Sequence, residues 1–240
     1  MDTNLAKQAV REHIWTLLER EHAVPPGASR RIPAFIGADK AADRLAELSA
    51  WDAARVIKTV PDTAQLPVRV RALREGKLVY MAVPRLATQK PFYLLDPTTL
   101  PAPPVEAAKK DVAAQVARTV DVDEISPVEM VVLGSVAVNR HGARLGKGAG
   151  YSDIELAILQ EAGLIGEDTI IVTTVHQLQV IDEPIPEAEH DFRMDLIVTP
   201  QEVIWCDEPR RPNGLLWESL PSEKIGAIPA LAARRASRRR

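Results

Sequence analysis

The chain has 240 residues, of which 46% are hydrophobic and 26% charged, and its formal net charge at pH 7 is −3. This balance predicts a globular protein with a sizeable core and argues against a chain devoted to nucleic acid. No stretch reaches the roughly 18 uninterrupted apolar residues that a membrane helix needs, so we expect no membrane partner. The single cysteine, Cys206, cannot form an internal disulfide, which favours a cytoplasmic location.

The first predicted element is an amphipathic helix that Thr3 or Asn4 can cap. Its apolar stripe consists of Leu5, Ala9, Ile14, Leu17 and Leu18. Lys7 and Arg11 are one helical turn apart, so both cations lie on one face of this helix. Taken alone, the pair fits an ordinary solvated face as well as a binding surface.

Helices and strands then alternate along the chain. The patterns predict helices over 38–48, 67–74 and 107–120, strands over 55–60 and 77–83, and an irregular crossover over 86–104. Asp62 comes directly after the strand over 55–60, and ligands of an open α/β sheet are bound at such strand ends. A turn or a helix cap is the other common use of an aspartate in this position.

A glycine-rich basic loop follows an apolar run over 128–138, which we predict to be one buried strand, and precedes a helix that ends near Gly163. Within nine residues the loop holds four glycines and two cations, Gly142, Gly146, Gly148, Gly150, Arg144 and Lys147. Glycine permits positive φ angles and close backbone approach. Backbone N–H groups, a helix N-terminus and two cations can therefore converge on a phosphate. A tight surface turn with solvated cations is the alternative.

Beyond this loop the sequence predicts strands over 169–175, 196–199 and 202–206. The alternation of strands and helices predicts one three-layer α/β/α domain over residues 1–228, with a mainly parallel sheet. The arginine-rich end over 229–240 is predicted to be a disordered basic tail. Contact of this tail with nucleic acid or another polyanion would be an accessory property.

The pattern Gly-x-Arg-Leu-Gly-x-Gly-x-Gly-Tyr-x-Asp over 142–153 resembles the loop of the 5-formyltetrahydrofolate cyclo-ligase (methenyltetrahydrofolate synthetase) family. The motif His-Asp-x-x-x-Asp over 190–195, before a strand that ends in threonine, is similar to the closing segment of that family. Family members usually continue Tyr-Tyr-Asp-Arg, where this chain has Ser152 as the second residue and Ile154 as the fourth. These departures make the chain look closest to the methenyltetrahydrofolate synthetase domain-containing branch.

The resemblance implies ATP and Mg²⁺ as cofactors and a folate as the small-molecule substrate. The implied nucleotide-binding residues come from the first helix and the loop, and they are Lys7, Arg11, Arg144, Gly146, Lys147, Gly148, Gly150 and Tyr151. Arg144 and Tyr151 are also the implied catalytic residues. Asp153 is the implied Mg²⁺ ligand, since a carboxylate beside phosphate oxygens suits that ion. Asp62 is the implied folate-binding residue.

In that family, ATP phosphorylates the formyl oxygen of 5-formyltetrahydrofolate, N10 attacks the activated carbon, and departure of phosphate leaves 5,10-methenyltetrahydrofolate. The resemblance therefore implies a cyclo-ligase. A protein of a different class could use the same fold and loop, namely a non-catalytic nucleotide- or folate-binding regulatory protein. Ser152 in place of an aromatic ring and Ile154 in place of a cation are the features that favour this alternative.

Overall fold

The computed structural model of the protein describes residues 3–238. Over these residues the α-helices are α1 (Thr3–Arg20), α2 (Ala38–Ala46), α3 (Ser49–Ala53), α4 (Leu66–Arg74), α5 (Pro104–Ala107), α6 (Lys110–Val116), α7 (Tyr151–Glu161), α8 (Ser222–Ala227) and α9 (Pro229–Arg238). The β-strands are β1 (Val56–Thr59), β2 (Leu78–Ala82), β3 (Phe92–Leu95), β4 (Arg118–Val120), β5 (Met130–Leu133), β6 (Ala137–Asn139), β7 (Arg144–Leu145), β8 (Ile170–Thr174), β9 (Val180–Ile181), β10 (Leu196–Val198) and β11 (Val203–Trp205).

The main sheet has eight strands in the order β11-β10-β8-β5-β1-β2-β3-β4. Strands β10, β8, β5, β1 and β2 run parallel to one another, whereas β11, β3 and β4 join the two edges as antiparallel strands. The predicted mainly parallel α/β fold is therefore confirmed. The parallel strands place their carboxyl ends along one edge of the sheet, where the loops that follow them meet.

Strand β5 shows why the sheet is covered on both faces. Met130 and Val132 belong to the core cluster that contains residues of α2 to α6, whereas Val131 and Leu133 belong to the cluster that contains residues of α7, α8 and α9. Because successive side chains of a strand point to opposite faces, a fully apolar strand needs a helical layer on each side. The result is the predicted α/β/α arrangement.

The run over 128–138 is two strands rather than the single strand that the sequence predicted. Strand β5 ends at Leu133 in the main sheet, and β6 begins at Ala137 in a separate sheet of order β7-β6-β9. The chain turns at Gly134, where an added Cβ would lie only 2.9 Å from side-chain atoms of Ile32 and Gln65. An apolar run does not reveal such a break, because both strands are buried.

Helix α1 packs on this small sheet. Ile14 and Leu18 of the helix share a core cluster with Val136, Ala137 and Leu145. This packing brings the buried side chains of the helix, including two cations, towards the loop that follows β7. The sequence showed the apolar stripe of α1 but not the surface that it covers.

Two predictions for the middle of the chain are wrong in part. The crossover over 86–104 contains β3, which pairs antiparallel with β2 and β4. Phe92 and Leu95 of this strand are fully buried, so burial stabilises a strand that the prolines around it obscured. The predicted helix over 107–120 is divided into the end of α5, α6 and β4.

The arginine-rich end is a helix as far as Arg238, so the prediction of a disordered tail is corrected for 229–238. Leu231 of α9 and Ile228 before it are fully buried in the cluster that contains α7. Burial of these side chains compensates for the cost of ordering the chain. Residues 239 and 240 lie outside the described residues. None of the helices between residues 3 and 238 is long and apolar enough to cross a membrane.

A first prediction concerns Gly142, which joins β6 to β7. Gly142 has a φ of +87°, and an added Cβ would lie 2.4 Å from the carbonyl oxygen of Met194. We expect Gly142→Ala to lower the free energy of unfolding by about 3 kcal/mol or more, since a left-handed backbone and a backbone clash both contribute. Urea unfolding monitored by circular dichroism measures this loss.

Gly163→Ala is the matched control, because Gly163 has a φ of +68° but no heavy atom within 4 Å of an added Cβ. This variant should lose only about 1–2 kcal/mol, the conformational cost alone. Equal losses in the two variants would mean that the carbonyl oxygen of Met194 does not exclude a Cβ at position 142.

Candidate functional site

Helix α7 begins directly after the glycine-rich loop. Gly150 is its N-cap residue and has a left-handed conformation with a φ of 67°, and Gly148 has a φ of 94°. Residues with a Cβ rarely adopt such angles, which explains two of the loop glycines. Asp153 lies in the first turn of α7, where a carboxylate interacts favourably with the helix dipole.

A cavity of about 630 Å³ opens beside this loop. Its lining includes Val60, Val83 and Gly134, which directly follow β1, β2 and β5. The cavity therefore lies at the carboxyl ends of adjacent parallel strands, the usual ligand-binding edge of such a sheet. Of the residues predicted for the site, those that line it are Asp62, Arg144, Gly146, Lys147, Gly150, Tyr151 and Asp153.

Arg144 is the most firmly held cation of the cavity wall. Its side chain is 3% exposed, and it donates to the carbonyl of Gly134 at 3.0 Å and to Oδ1 of Asp153 at 3.1 Å. An added Cβ on Gly146 would lie 3.1 Å from this guanidinium, so glycine allows the close approach. Arg144 thus connects the end of β5, the loop and α7.

Two further cations contact the loop. Lys147 Nζ lies 3.1 Å from Oδ1 of Asp62, and this lysine side chain is 40% exposed. Arg11 of α1 donates through Nε to the carbonyl of Gly146 at 2.7 Å. Burial lowers the pKa of Arg11, Asp191 opposes this shift, and the positive charge of Arg144 adds to it. Arg11 and Arg144 therefore place two positive charges beside Gly146 of the loop.

Lys7 is buried and forms an ion pair with Asp191, just before β10. The same carboxylate accepts a hydrogen bond from the backbone N–H of Ala188 at 2.5 Å. Neither Lys7 nor Arg11 has an ordinary solvated position on α1, since they are 7% and 9% exposed. Neither Lys7 nor Arg11 lines either of the two cavities described for residues 3–238.

A second cavity, of about 300 Å³, adjoins the loop and is lined by Gly148, Gly150 and Asp153, the last two of which also line the larger cavity. Lys224 of α8 lines this cavity and donates a hydrogen bond to the carbonyl of Ala149. Its ammonium lies 4.7 Å from the centroid of the Tyr151 ring, a cation–π contact. Burial lowers the pKa of Lys224, and Asp153 opposes this shift.

Sequence reasoning missed a buried ion pair beneath the cavity. Lys58 of β1 and Glu155 of α7 are 0% and 4% exposed, and Nζ lies 2.5 Å from Oε2. Burial raises the pKa of Glu155, Lys58 opposes the shift, and Asp62 and Asp153 raise the pKa further. A lysine inside an apolar strand and a glutamate inside the apolar face of a helix were the available signals.

Several further cations line the larger cavity, and of these the sequence pointed only to Arg85, which follows a predicted strand and could equally have been a surface arginine. Arg30, Arg31, Arg85 and Lys110 line the cavity, and within residues 3–238 none of them forms an ion pair with an acid. Arg85 has a φ of 61°, an uncommon conformation for a residue with a side chain. Together with Arg144 and Lys147, these residues make the cavity suitable for an anionic ligand.

The fold and this cavity define a class of protein, an α/β protein with a glycine-rich loop and a cation-lined cavity at the carboxyl ends of parallel strands. The model of the 5-formyltetrahydrofolate cyclo-ligase family matches residues 3–200. The chain therefore belongs to the 5-formyltetrahydrofolate cyclo-ligase family.

Similar curated proteins include the methenyltetrahydrofolate synthase domain-containing proteins of Bos taurus, 37% identical over 96% of this chain, and of Homo sapiens, 34% identical over 97%. The chain spans 62% of the length of each of these relatives. Among solved structures, Aquifex aeolicus 5,10-methenyltetrahydrofolate synthetase is similar with a TM-score of 0.55 and 19% identity, over 85% of this chain and 95% of that one. This structural likeness supports the fold.

The two departures from the family motif have different environments. Ser152 lines the larger cavity, whereas Ile154 is 6% exposed and belongs to the core cluster of α7. An arginine at position 154 would place its charge among the apolar side chains of this cluster and of the second cavity, which Ile154 also lines. Isoleucine at this position thus serves the packing of α7 on the sheet.

A second prediction tests the buried pair of Lys58 and Glu155. We expect Lys58→Met to lower the free energy of unfolding at pH 7 by roughly 3–5 kcal/mol, because a carboxylate remains buried without its partner. The loss should shrink as the pH falls, since the folded state of this variant binds a proton on Glu155 more readily than the unfolded state does. Urea unfolding between pH 5 and pH 8 measures both effects.

The double variant Lys58→Met with Glu155→Leu is the control, because it removes both charges at similar volume. It should recover most of the lost stability. A pH-independent loss in Lys58→Met, or no recovery in the double variant, would contradict a charged buried pair.

Proposed function

We propose that this chain converts 5-formyltetrahydrofolate to 5,10-methenyltetrahydrofolate with hydrolysis of ATP to ADP and phosphate, in the presence of Mg²⁺. Membership of the cyclo-ligase family and the likeness to methenyltetrahydrofolate synthase domain-containing proteins support this proposal. The observation that carries it is the buried Arg144, held against the glycine loop and Asp153 on the wall of a cavity at the carboxyl ends of the parallel strands.

The loop and its cations would bind the triphosphate of ATP. Arg144 is already fixed by two hydrogen bonds, so little reorganisation accompanies the interaction with phosphate. Lys147 is partly exposed and can exchange its contact with Asp62 for a phosphate oxygen. Gly146, Gly148 and Gly150 bring the backbone close to the same anion.

The cations of α1 would complete the phosphate site, because Arg11 lies against the loop at Gly146 and Gly148. Arg11 already contacts the carbonyl of Gly146, so it supports the loop and adds positive charge. Lys7 would reach a phosphate only by exchanging its ion pair with Asp191. We therefore assign the phosphate more directly to Arg11 than to Lys7.

Asp153 is the residue of this chain that fits Mg²⁺. The Asp153 side chain is 14% exposed and lines both cavities, and its charge interacts with that of Glu155, as does the charge of Asp62. A carboxylate in acidic surroundings beside a phosphate site has the chemistry that Mg²⁺ prefers. Asp153 would hold the ion, which would supply positive charge to offset the charge that develops on the phosphate groups.

The larger cavity would hold the folate with its formyl group facing the γ-phosphate. The formyl oxygen attacks the γ-phosphorus and ADP leaves. N10 then attacks the activated carbon and loses its proton, and phosphate leaves with the original formyl oxygen. Tyr151 would flank the reacting groups, and Asp62 would bind the folate ring. Arg144 and Lys147 stabilise the charge on the transferred phosphoryl group.

A third prediction tests turnover directly. The purified chain, given ATP, Mg²⁺ and 5-formyltetrahydrofolate, should generate the absorbance of methenyltetrahydrofolate, and Arg144→Ala should lower kcat/KM by about 100-fold or more, as expected when a preorganised charge is removed. Arg140→Ala is the matched control, because Arg140 belongs to the same β6–β7 hairpin but pairs with Glu202 on the surface. This control should keep the wild-type rate.

Binding of ATP and folate without turnover in the wild-type protein would contradict the enzyme and support the non-catalytic binding protein instead. Equal losses in Arg144→Ala and Arg140→Ala would contradict the assigned site.

A fourth prediction concerns Asp153 and Mg²⁺. Asp153→Asn keeps the side-chain oxygen that accepts from Arg144 but removes the negative charge. Calorimetry should show that Mg²⁺ increases the affinity for ATP less in this variant than in the wild type, by roughly tenfold, about 1.4 kcal/mol. An unchanged effect of Mg²⁺ would show that Asp153 is not its ligand.

A further inference from the structure

The chain continues beyond the residues that the family model matches. That match ends at residue 200, and the part over 201–238 contains β11, α8 and α9. Residues 214–224, which we call the C-terminal wall, pass beside α7, where the backbone N–H groups of Gly214 and Leu215 donate to the side chains of Gln160 and Glu161 at 3.1 and 3.0 Å. These bonds attach the wall to the helix that follows the glycine loop.

The C-terminal wall forms one side of the second cavity. Its apolar contribution consists of Leu215, Leu216, Leu220 and Pro221, and Ile154 and Ala157 of α7 face them across the cavity. The backbone of Gly148 to Gly150 and the ammonium of Lys224 form its polar end. A ligand that matches this arrangement has an apolar part and an anionic part.

Lys224 lies where it can bind the anionic part of such a ligand. Its ammonium has three N–H donors, and the hydrogen bond to the carbonyl of Ala149 uses one of them. The ammonium also lies 4.7 Å from the centroid of the Tyr151 ring and interacts with the charge of Asp153, so three residues of the loop and the start of α7 surround it. The remaining donors are available beside the loop that binds phosphate in the proposed function.

We propose that the C-terminal wall completes the nucleotide site, with Lys224 as a further phosphate-binding residue and the second cavity as the place of the nucleoside. This inference rests on the proposed function, since it names the part of the chain that recognises the nucleotide of the same reaction. It also assigns the two cavities to different ligands, so that the larger cavity remains open for the folate.

The size and character of the second cavity support a nucleoside. Its volume of about 300 Å³ is at the lower end of the range for small-molecule sites, and such sites combine apolar walls with a few polar groups. A nucleobase has flat faces that leucine side chains can pack against, and the ribose hydroxyls can meet the polar groups of the lining. Asp153 lines both cavities, which places the proposed Mg²⁺ ligand between the nucleoside and the folate.

Calorimetry with ATP and with inorganic tripolyphosphate, each with Mg²⁺, tests the inference. Lys224→Met should weaken the binding of both ligands by about 10- to 100-fold, the usual effect of removing a charged hydrogen bond. Lys224→Arg should keep most of the wild-type affinity, because arginine retains the positive charge. Ala157→Leu, which narrows the second cavity, should weaken ATP about tenfold but leave tripolyphosphate unchanged. The wild type should bind ATP at least tenfold more tightly than tripolyphosphate.

Lys40→Met is the matched control, because Lys40 is exposed on α2 in the opposite helical layer and its loss changes the net charge equally. This variant should bind both ligands as the wild type does, and thermal unfolding should show that all variants are folded. If Ala157→Leu does not fold, the comparison of ATP with tripolyphosphate in the wild type still tests the nucleoside cavity.

The inference would be overturned if Lys224→Met bound ATP normally, or if wild-type ATP and tripolyphosphate bound equally. Loss of affinity in Lys224→Met without rescue by arginine would also contradict a phosphate contact, because it would indicate a purely structural bond to Ala149. In each of these cases wild-type turnover of 5-formyltetrahydrofolate would leave the proposed function intact. If the Lys224 variants instead bind ATP and tripolyphosphate as expected but the wild type shows no turnover, the nucleotide site would stand and the proposed cyclo-ligase activity would be contradicted.

Discussion

The buried guanidinium of Arg144 is the interaction on which the site depends. It joins the carbonyl of Gly134 at the end of β5 to Asp153 in the first turn of α7, and it lies against Gly146 of the loop. A buried cation with these partners cannot move without leaving the partners unsatisfied. The loop, the helix and the edge of the sheet therefore keep one relative position, and the cavity between them has a defined shape.

Charge is balanced in two ways among the cations of the larger cavity. Near the loop, the cations are paired with acids, as in Arg144 with Asp153 and Lys147 with Asp62. Arg30, Arg31 and Arg85 also line the cavity, and within residues 3–238 they form no ion pair with an acid. An anionic ligand can therefore take the place of Asp62 beside the partly exposed Lys147 and neutralise the exposed arginines, while the buried Arg144 keeps its partners.

Much of the fold was predictable because local patterns and burial agree. The apolar stripe of α1, the β-branched strands β1, β8 and β10 and the start of α7 at a glycine all follow from residues a few positions apart. Strand β3 and the division at Gly134 were not predictable in the same way, because the causes are the long-range pairing with β2 and the close contact with Ile32 and Gln65. The helix α9 also depends on distant packing, since Leu231 is buried in the cluster that contains α7.

By itself the sequence determined the type of loop, its cations and the resemblance to the cyclo-ligase family, because glycine spacing and the residues between the glycines are local properties. Only the tertiary structure decided which charges meet: Lys7 with Asp191, Lys58 with Glu155, and Lys224 with the carbonyl of Ala149. These partners are separated by 184, 97 and 75 positions in the chain. Electrostatic contacts fall off with distance in space rather than in sequence, so no local pattern could show them before the layers of the fold brought them together.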